Sequence, residues 1–188
     1  MSDAAALIVI LDAVLMGALP RIFFRRDGRL NLRWWLTAAP FFAGSGTVLL
    51  AALGLARPWR SVPSAVAAGA ELAAVGMATA SIGLMCFTLG THRIPIALWH
   101  QADDAPRHIV TWGAYSRIRH PFYASFLLLL AACLLACPHA STAAAFVWGA
   151  LALNATAARE ETRLRKSELG ADYAAYMRRT GRFFPRLT

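Results

Sequence analysis

Charge is scarce in this chain. Of 188 residues only 15% are Asp, Glu, Lys or Arg, against about 25% in a soluble domain. The few charges fall in short blocks and leave long apolar runs between them; 58% of the residues are hydrophobic and the mean hydropathy is +0.49. Such a pattern excludes an ordinary soluble domain and predicts an all-α, polytopic membrane protein. Cysteine is nearly absent as well. Cys86, Cys133 and Cys137 sit inside apolar runs, odd in number and without paired spacing, which argues against a disulfide framework and marks them as small core residues. The start, "MSDAAALIVI", has no basic stretch ahead of its apolar run, so the first segment is expected to be retained rather than cleaved.

Other absences narrow the chemistry. The formal net charge is +9, yet there is no glycine-aromatic RNA motif, no zinc-finger spacing and no basic reading helix, so nucleic acid is not an expected partner. The arginines instead end the apolar runs, where anionic head groups meet them. His92, His100 and His108 recur every eight residues without cysteine or carboxylate companions, and no metal is expected. Neither a Ser-His-Asp arrangement nor a phosphate-binding glycine loop is present.

What is present is a series of five apolar segments in a single domain. The first runs from about Ala4 to Phe24 and contains Asp12, which must face another helix or water. The second spans Trp34 to Ala56, the third about Val66 to Leu89, the fourth Pro121 to Cys137, and the fifth Ala140 to Ala158. Residues 1–90 thus hold three spans, and 91–188 a long loop, two more spans and a tail. Only "CPH", Cys137 to His139, separates the last two spans, which predicts a tight antiparallel hairpin. Gly44, Gly46, Gly69, Gly76 and Gly83 are read as close-packing positions between helices. Beyond the fifth span, Leu164, Leu169, Tyr173 and Tyr176 recur at near-helical spacing, which predicts that the helix continues as an amphipathic extension ending near Thr180–Gly181. Arginines crowd the first and third loops and the tail and avoid the hairpin turn, which places the N-terminus outside and the C-terminus in the cytosol, in an inner membrane or endomembrane.

Two charged blocks flank the hairpin: "RHIVTWGAYSRIRHPFY" (107–123) and "REETRLRKSELGADYAAY" (159–176). Proline suits the first helical position and keeps the residue before it out of the helical region, so His120 is expected to cap the fourth span. Backbone N–H groups beyond it, with Arg117 and Arg119, form a field that favours anions. Glu160 and Glu161 are the opposing acids, able to hold an ammonium or ribose hydroxyls. Their plainer reading is the i,i+4 pair Glu161–Arg165. Gly113 is expected to permit a tight bend before Tyr115.

"GAYSRIRHPFY", an apolar hairpin, "EE", and then "LGADYAAYMRRTGRFFP" together resemble the isoprenylcysteine carboxyl methyltransferase family and the related phospholipid methyltransferases. The likeness covers about Arg107 to Pro185. It implies a membrane enzyme that binds S-adenosyl-L-methionine from the cytosol and methylates a lipophilic acceptor. By that resemblance the cofactor is bound by Arg107, His108, Ile109 and Val110, by Gly113 and Tyr115, by His120, Pro121 and Tyr123, by Glu161, and upstream by His100 or Gln101. Arg159, Glu160 and Arg119 are the candidate catalytic residues. The family's substrate-facing arginine lies four residues before the second glutamate; that position here is Ala157, with Arg159 about half a turn away. The acceptor therefore stays open between a carboxylate on a lipophilic thioether, a phospholipid amine and a small hydrophobic metabolite. A membrane protein without enzymatic activity, its charged edges serving as anchors, is the competing reading.

Overall fold

The computed structural model describes residues 1–19, 24, 27–59, 63–91 and 109–186. Among these residues the chain forms six α-helices and no strand beyond two single-pair bridges. They are α1 (Asp3–Gly17), α2 (Leu32–Ala52), α3 (Ser64–Thr91), α4 (Pro121–Ala136), α5 (Ala140–Arg165) and α6 (Gly170–Arg179), with one turn of 3-10 helix at Gly113–Ser116 before α4.

Local chemistry sets the helix starts. Ser2 and Asn31 accept from the backbone N–H groups of Ala5 and Trp34, satisfying donors that α1 and α2 leave free. Pro121 opens α4. His139 caps α5 reciprocally: its ring accepts from Ser141 N–H, while Thr142 Oγ1 accepts from His139 N–H.

Among the described residues three helices are long and apolar enough to cross a membrane, within Leu32–Ala52, Ala65–Thr91 and Ala140–Arg165. The expected first and fourth spans are shorter. With 15 and 16 residues, α1 and α4 rise ~22 and ~24 Å, less than the ~30 Å of a hydrocarbon core. Large apolar side chains such as Leu7, Leu72 and Leu151 point outward from the bundle. In water that surface would be a liability; against lipid it is the expected exterior.

The helices share a core that includes Val9, Val48, Leu129 and Cys133. Asp12 is fully buried within the bundle, as a carboxylate on an apolar helix requires. Polar ties cross the interior: Ser81 Oγ donates to Ser125 O at 2.8 Å, and Thr47 Oγ1 meets Ser141 Oγ at 2.6 Å. Trp59 N–H donates to Pro138 O, so the α2–α3 loop touches the α4–α5 link. The expected close-packing glycines divide. Gly44 faces Leu130, Cys133 and Ala145, whereas a Cβ at Gly46, Gly69, Gly76 or Gly83 would meet only open space. Gly149 on α5 is tighter than Gly44: a Cβ there would overlap the buried Leu130 side chain. The cysteines divide too, Cys133 and Cys137 being buried and Cys86 exposed on α3.

The expected extension of α5 is interrupted. The helix stops at Arg165 and α6 begins at Gly170. Between them Ser167 Oγ donates to Leu164 O and accepts from Leu169 N–H, and Gly170 N–H bonds Ser167 O. Serine competes with the helix by such local bonds, and glycine follows three residues later. The apolar spacing still does its work, since Tyr173 and Tyr176 are buried.

Packing at Gly149 is therefore expected to be sensitive. Gly149→Val should lower stability by about 1–3 kcal/mol, while Gly76→Val should be close to neutral. Thermal unfolding of both variants in one detergent checks the contrast.

Candidate functional site

The end of α4 nearest its N-terminus is built from three stretches far apart in sequence. Residues 117–120 run alongside the C-terminal strap at 181–182, joined by a single parallel bridge at Ile118 and Gly181. Arg119 N–H donates to Gly181 O at 2.9 Å, His120 N–H to Arg182 O at 3.0 Å, and Gly181 N–H to Arg117 O at 3.1 Å. His120 holds φ −126° and ψ 63°, outside the helical region as expected before proline, and stands at the N-cap. Upstream, Gly113 takes φ 58° against the end of α3, where a Cβ would overlap Thr91; Thr91 Oγ1 accepts from Ala114 N–H at 3.1 Å. That bend places the 3-10 turn, and Tyr176 Oη on α6 then donates to Tyr115 O at 2.6 Å.

Helix α5 brings Glu160 and Glu161 to this place, and the two acids have different surroundings. Glu161 is 3% exposed. Its Oε1 accepts from Arg119 Nε at 3.0 Å and Arg182 Nε at 3.1 Å, and its Oε2 from Arg182 Nη2 at 2.6 Å. Arg119 continues to Thr180 O and Met177 O, and Arg182 Nη1 to Asn154 Oδ1 at 2.6 Å. The expected Glu161–Arg165 pair is replaced by these two guanidiniums. Bonding to Glu161 also raises the pKa of Arg182 above its usual value.

Glu160 is the open acid, its side chain 28% exposed. Tyr123 Oη donates to its Oε1 at 2.7 Å. His120 stands between the two carboxylates, Nδ1 at 3.6 Å from Glu160 and Nε2 at 3.4 Å from Glu161. The imidazole stacks on the Tyr123 ring, centroids 5.3 Å apart and planes within 3°, while Phe183 of the strap presents its edge at 6.2 Å. Among the described residues no guanidinium forms an ion pair with Glu160. A carboxylate that, among the described residues, pairs with no guanidinium and stands beside aromatic rings suits an organic cation. Burial, with the charge of Glu160 second, pushes the Tyr115 hydroxyl up to about 12.

The expected site residues thus separate. Arg119, His120, Tyr123, Glu160 and Glu161 meet directly, with Pro121 setting the geometry and Gly113 and Tyr115 supporting it through α6. Ile109 and Val110 are half-buried just upstream. Arg159 is exposed and bonds Thr156 Oγ1 rather than entering the cluster. Ala157, where the family pattern has an arginine, is wholly buried. His100, Gln101, Arg107 and His108 lie outside the described residues. Two participants were not among the expected site residues: Arg182 and Asn154. Arg182 opens the basic, aromatic "RFFPRL" (182–187), which the sequence reading expects to close over the cofactor, but no partner was assigned to it. No group of His, Cys, Asp and Glu that could hold a metal occurs among the described residues.

No protein-family model, curated protein or solved structure matches the chain.

Two outcomes are expected here. Glu161→Ala strands the buried Arg119 guanidinium and should cost about 3–5 kcal/mol, and Arg182→Ala, which leaves Glu161 one partner, about 1.5–3 kcal/mol; unfolding curves rank them. At high pH the unfolded chain loses tyrosine protons near 10, before Tyr115 does near 12. Stability contributed there is complete below pH 10 and falls as pH rises toward 12. A Tyr115→Phe chain should lose less stability than wild type over that interval in melts taken from pH 9 to 12.

Proposed function

We propose that this chain is an integral membrane methyltransferase that binds S-adenosylmethionine and methylates a lipophilic acceptor, in the manner of the isoprenylcysteine carboxyl methyltransferase family. The observation that carries the reading is the arrangement at Glu160: an acid that pairs with no guanidinium among the described residues, backed by Tyr123 and His120, beside a second acid that two arginines already neutralise. When bound, S-adenosylmethionine supplies an electrophilic methyl group on a positively charged sulfur. The residues present fit such a cation. Glu160 offers the charge, the stacked His120 and Tyr123 rings offer polarisable faces, and the aromatic strap residue Phe183 helps exclude water.

In this reading Glu161, Arg119 and Arg182 do not touch the reactants. They fix His120 and the strap so that Glu160 is held in one orientation, and positioning of that kind accounts for much of the rate in a displacement. All five apolar segments lie in the bilayer, with α4 and α5 as an antiparallel hairpin and the shorter α1 and α4 adapted by thinning or flanking residues. Arginine placement puts the site at the cytosolic face. The buried Ala157 leaves no cation for a substrate carboxylate at that point, so acceptors other than prenylcysteine stand level with it.

One observation favours a structural protein without activity: Glu161 is held by two arginines from within the chain. Calorimetry in nanodiscs separates the two. Wild type should bind both S-adenosylmethionine and its neutral product S-adenosylhomocysteine. Glu160→Gln should weaken the charged ligand about tenfold or more and the neutral one far less. Absence of heat from either ligand with wild type sinks the proposal. A labelled-methyl assay on total membrane lipid then identifies the acceptor.

A further inference from the structure

A second surface lies beside the candidate site and is independent of it. Past Ala158, where the uncharged part of α5 ends, the exposed side chains become arginines: Arg163 and Arg165 on the last turns of α5, Arg178 and Arg179 at the end of α6. The C-terminal segment adds Arg186, whose Nη1 donates to Arg178 O at 2.7 Å and so pins the segment to α6. Arg117 joins the same face, because its carbonyl accepts from Gly181 N–H at the start of that segment. Two large aromatics stand out here, Trp112 at 56% exposure and Phe184 at 73%. The exposed acids of this region, Glu168 and Asp172, sit at the opposite end of α6 from Arg178 and Arg179.

Arginines interleaved with exposed aromatic rings, directly beyond a helix long and apolar enough to span, match the head-group layer: rings enter the boundary and guanidiniums meet phosphate. We infer that this face, formed by Trp112, Arg117, Arg178, Arg179, Phe184 and Arg186, docks on the anionic phospholipid of the leaflet at the end of α5. The charge is complementary, and continuity with α5 brings head groups within a few residues of the patch. A soluble polyanion shares the charge but has no use for the aromatic rings. Docking also bears on the strap. Arg182 and Phe183 lie between Arg178 on one side and Phe184 and Arg186 on the other, so head groups held at both sides keep the strap over Glu161.

The test uses the full chain in nanodiscs of phosphatidylcholine alone, or of phosphatidylcholine mixed with phosphatidylglycerol, and reads amide hydrogen exchange over residues 170–186. Exchange should be slower in the anionic discs, and the difference should vanish at high salt. It should shrink by roughly fivefold for each arginine removed in the series Arg178→Gln, Arg179→Gln, Arg186→Gln. Melting in neutral discs shows whether each variant is folded, and the salt series on wild type gives the answer even where one is not. Equal exchange in the two lipids, or lipid-dependent protection that survives salt, overturns the inference. So does protection in neutral discs by an oligonucleotide or polyglutamate equal to that from phosphatidylglycerol.

Discussion

A single carboxylate, Glu161, is held out of water by two guanidiniums that come from opposite ends of the C-terminal half of the chain. Removing such an ion from water costs several kcal/mol unless its lone pairs are all engaged. Three bonds engage them here: Arg119 arrives from the stretch before α4 with one, Arg182 from the strap after α6 with two, and the guanidiniums also donate to Thr180, Met177 and Asn154. The arrangement holds as a unit, since losing Glu161 leaves the buried Arg119 without its acid and losing Arg182 leaves Glu161 with Arg119 alone. Start of α4, end of α5, end of α6 and the strap are thereby fastened at one point, and everything at the neighbouring site inherits its geometry from that fastening.

Two adjacent glutamates could have been redundant; helix geometry makes them different. Successive side chains on a helix are separated by about 100°, so α5 cannot turn both toward the same neighbours. Glu161 faces inward to the arginines, and Glu160 faces Tyr123 and the open side. His120 sits in the wedge between them, its ring fixed by stacking on Tyr123 and by the strap. One acid is engaged by the arginines, while the other meets Tyr123 and His120 and stays partly exposed.

How much of this was written in the sequence depends on how local each cause is. Pro121 announced the cap at His120, because proline restricts the residue before it whatever the surroundings. The short Cys137–His139 link fixed the meeting of His120 with the glutamate pair, and Gly113 announced a bend. Asp12 declared its burial by its cost in lipid. Arg182 was not legible as a partner of Glu161: no spacing rule connects residues 21 apart across a helix break, and the i,i+4 neighbour Arg165 offered a ready alternative. The break at Lys166–Leu169 hid beneath an apolar period that runs through it. Glycine placement held at Gly44 and failed at the others for a similar reason, since Gly44 and Gly149 differ from Gly69 and Gly76 only in which side of their helices meets a neighbour. The length of the first span was overdrawn because apolar composition continues past Gly17, where α1 stops, whereas the fourth matches α4 to within one residue.

Of the three thiols, two are sealed in the core and one lies on the outer side of α3, about 7 Å of helix rise short of Thr91. The wild-type chain therefore carries its own depth gauge. A reagent dissolved in the hydrocarbon reaches Cys86 wherever the helix is embedded, whereas a membrane-impermeant one reaches it only from water. The ratio of the two labelling rates reads the immersion of α3 directly, with no residue changed.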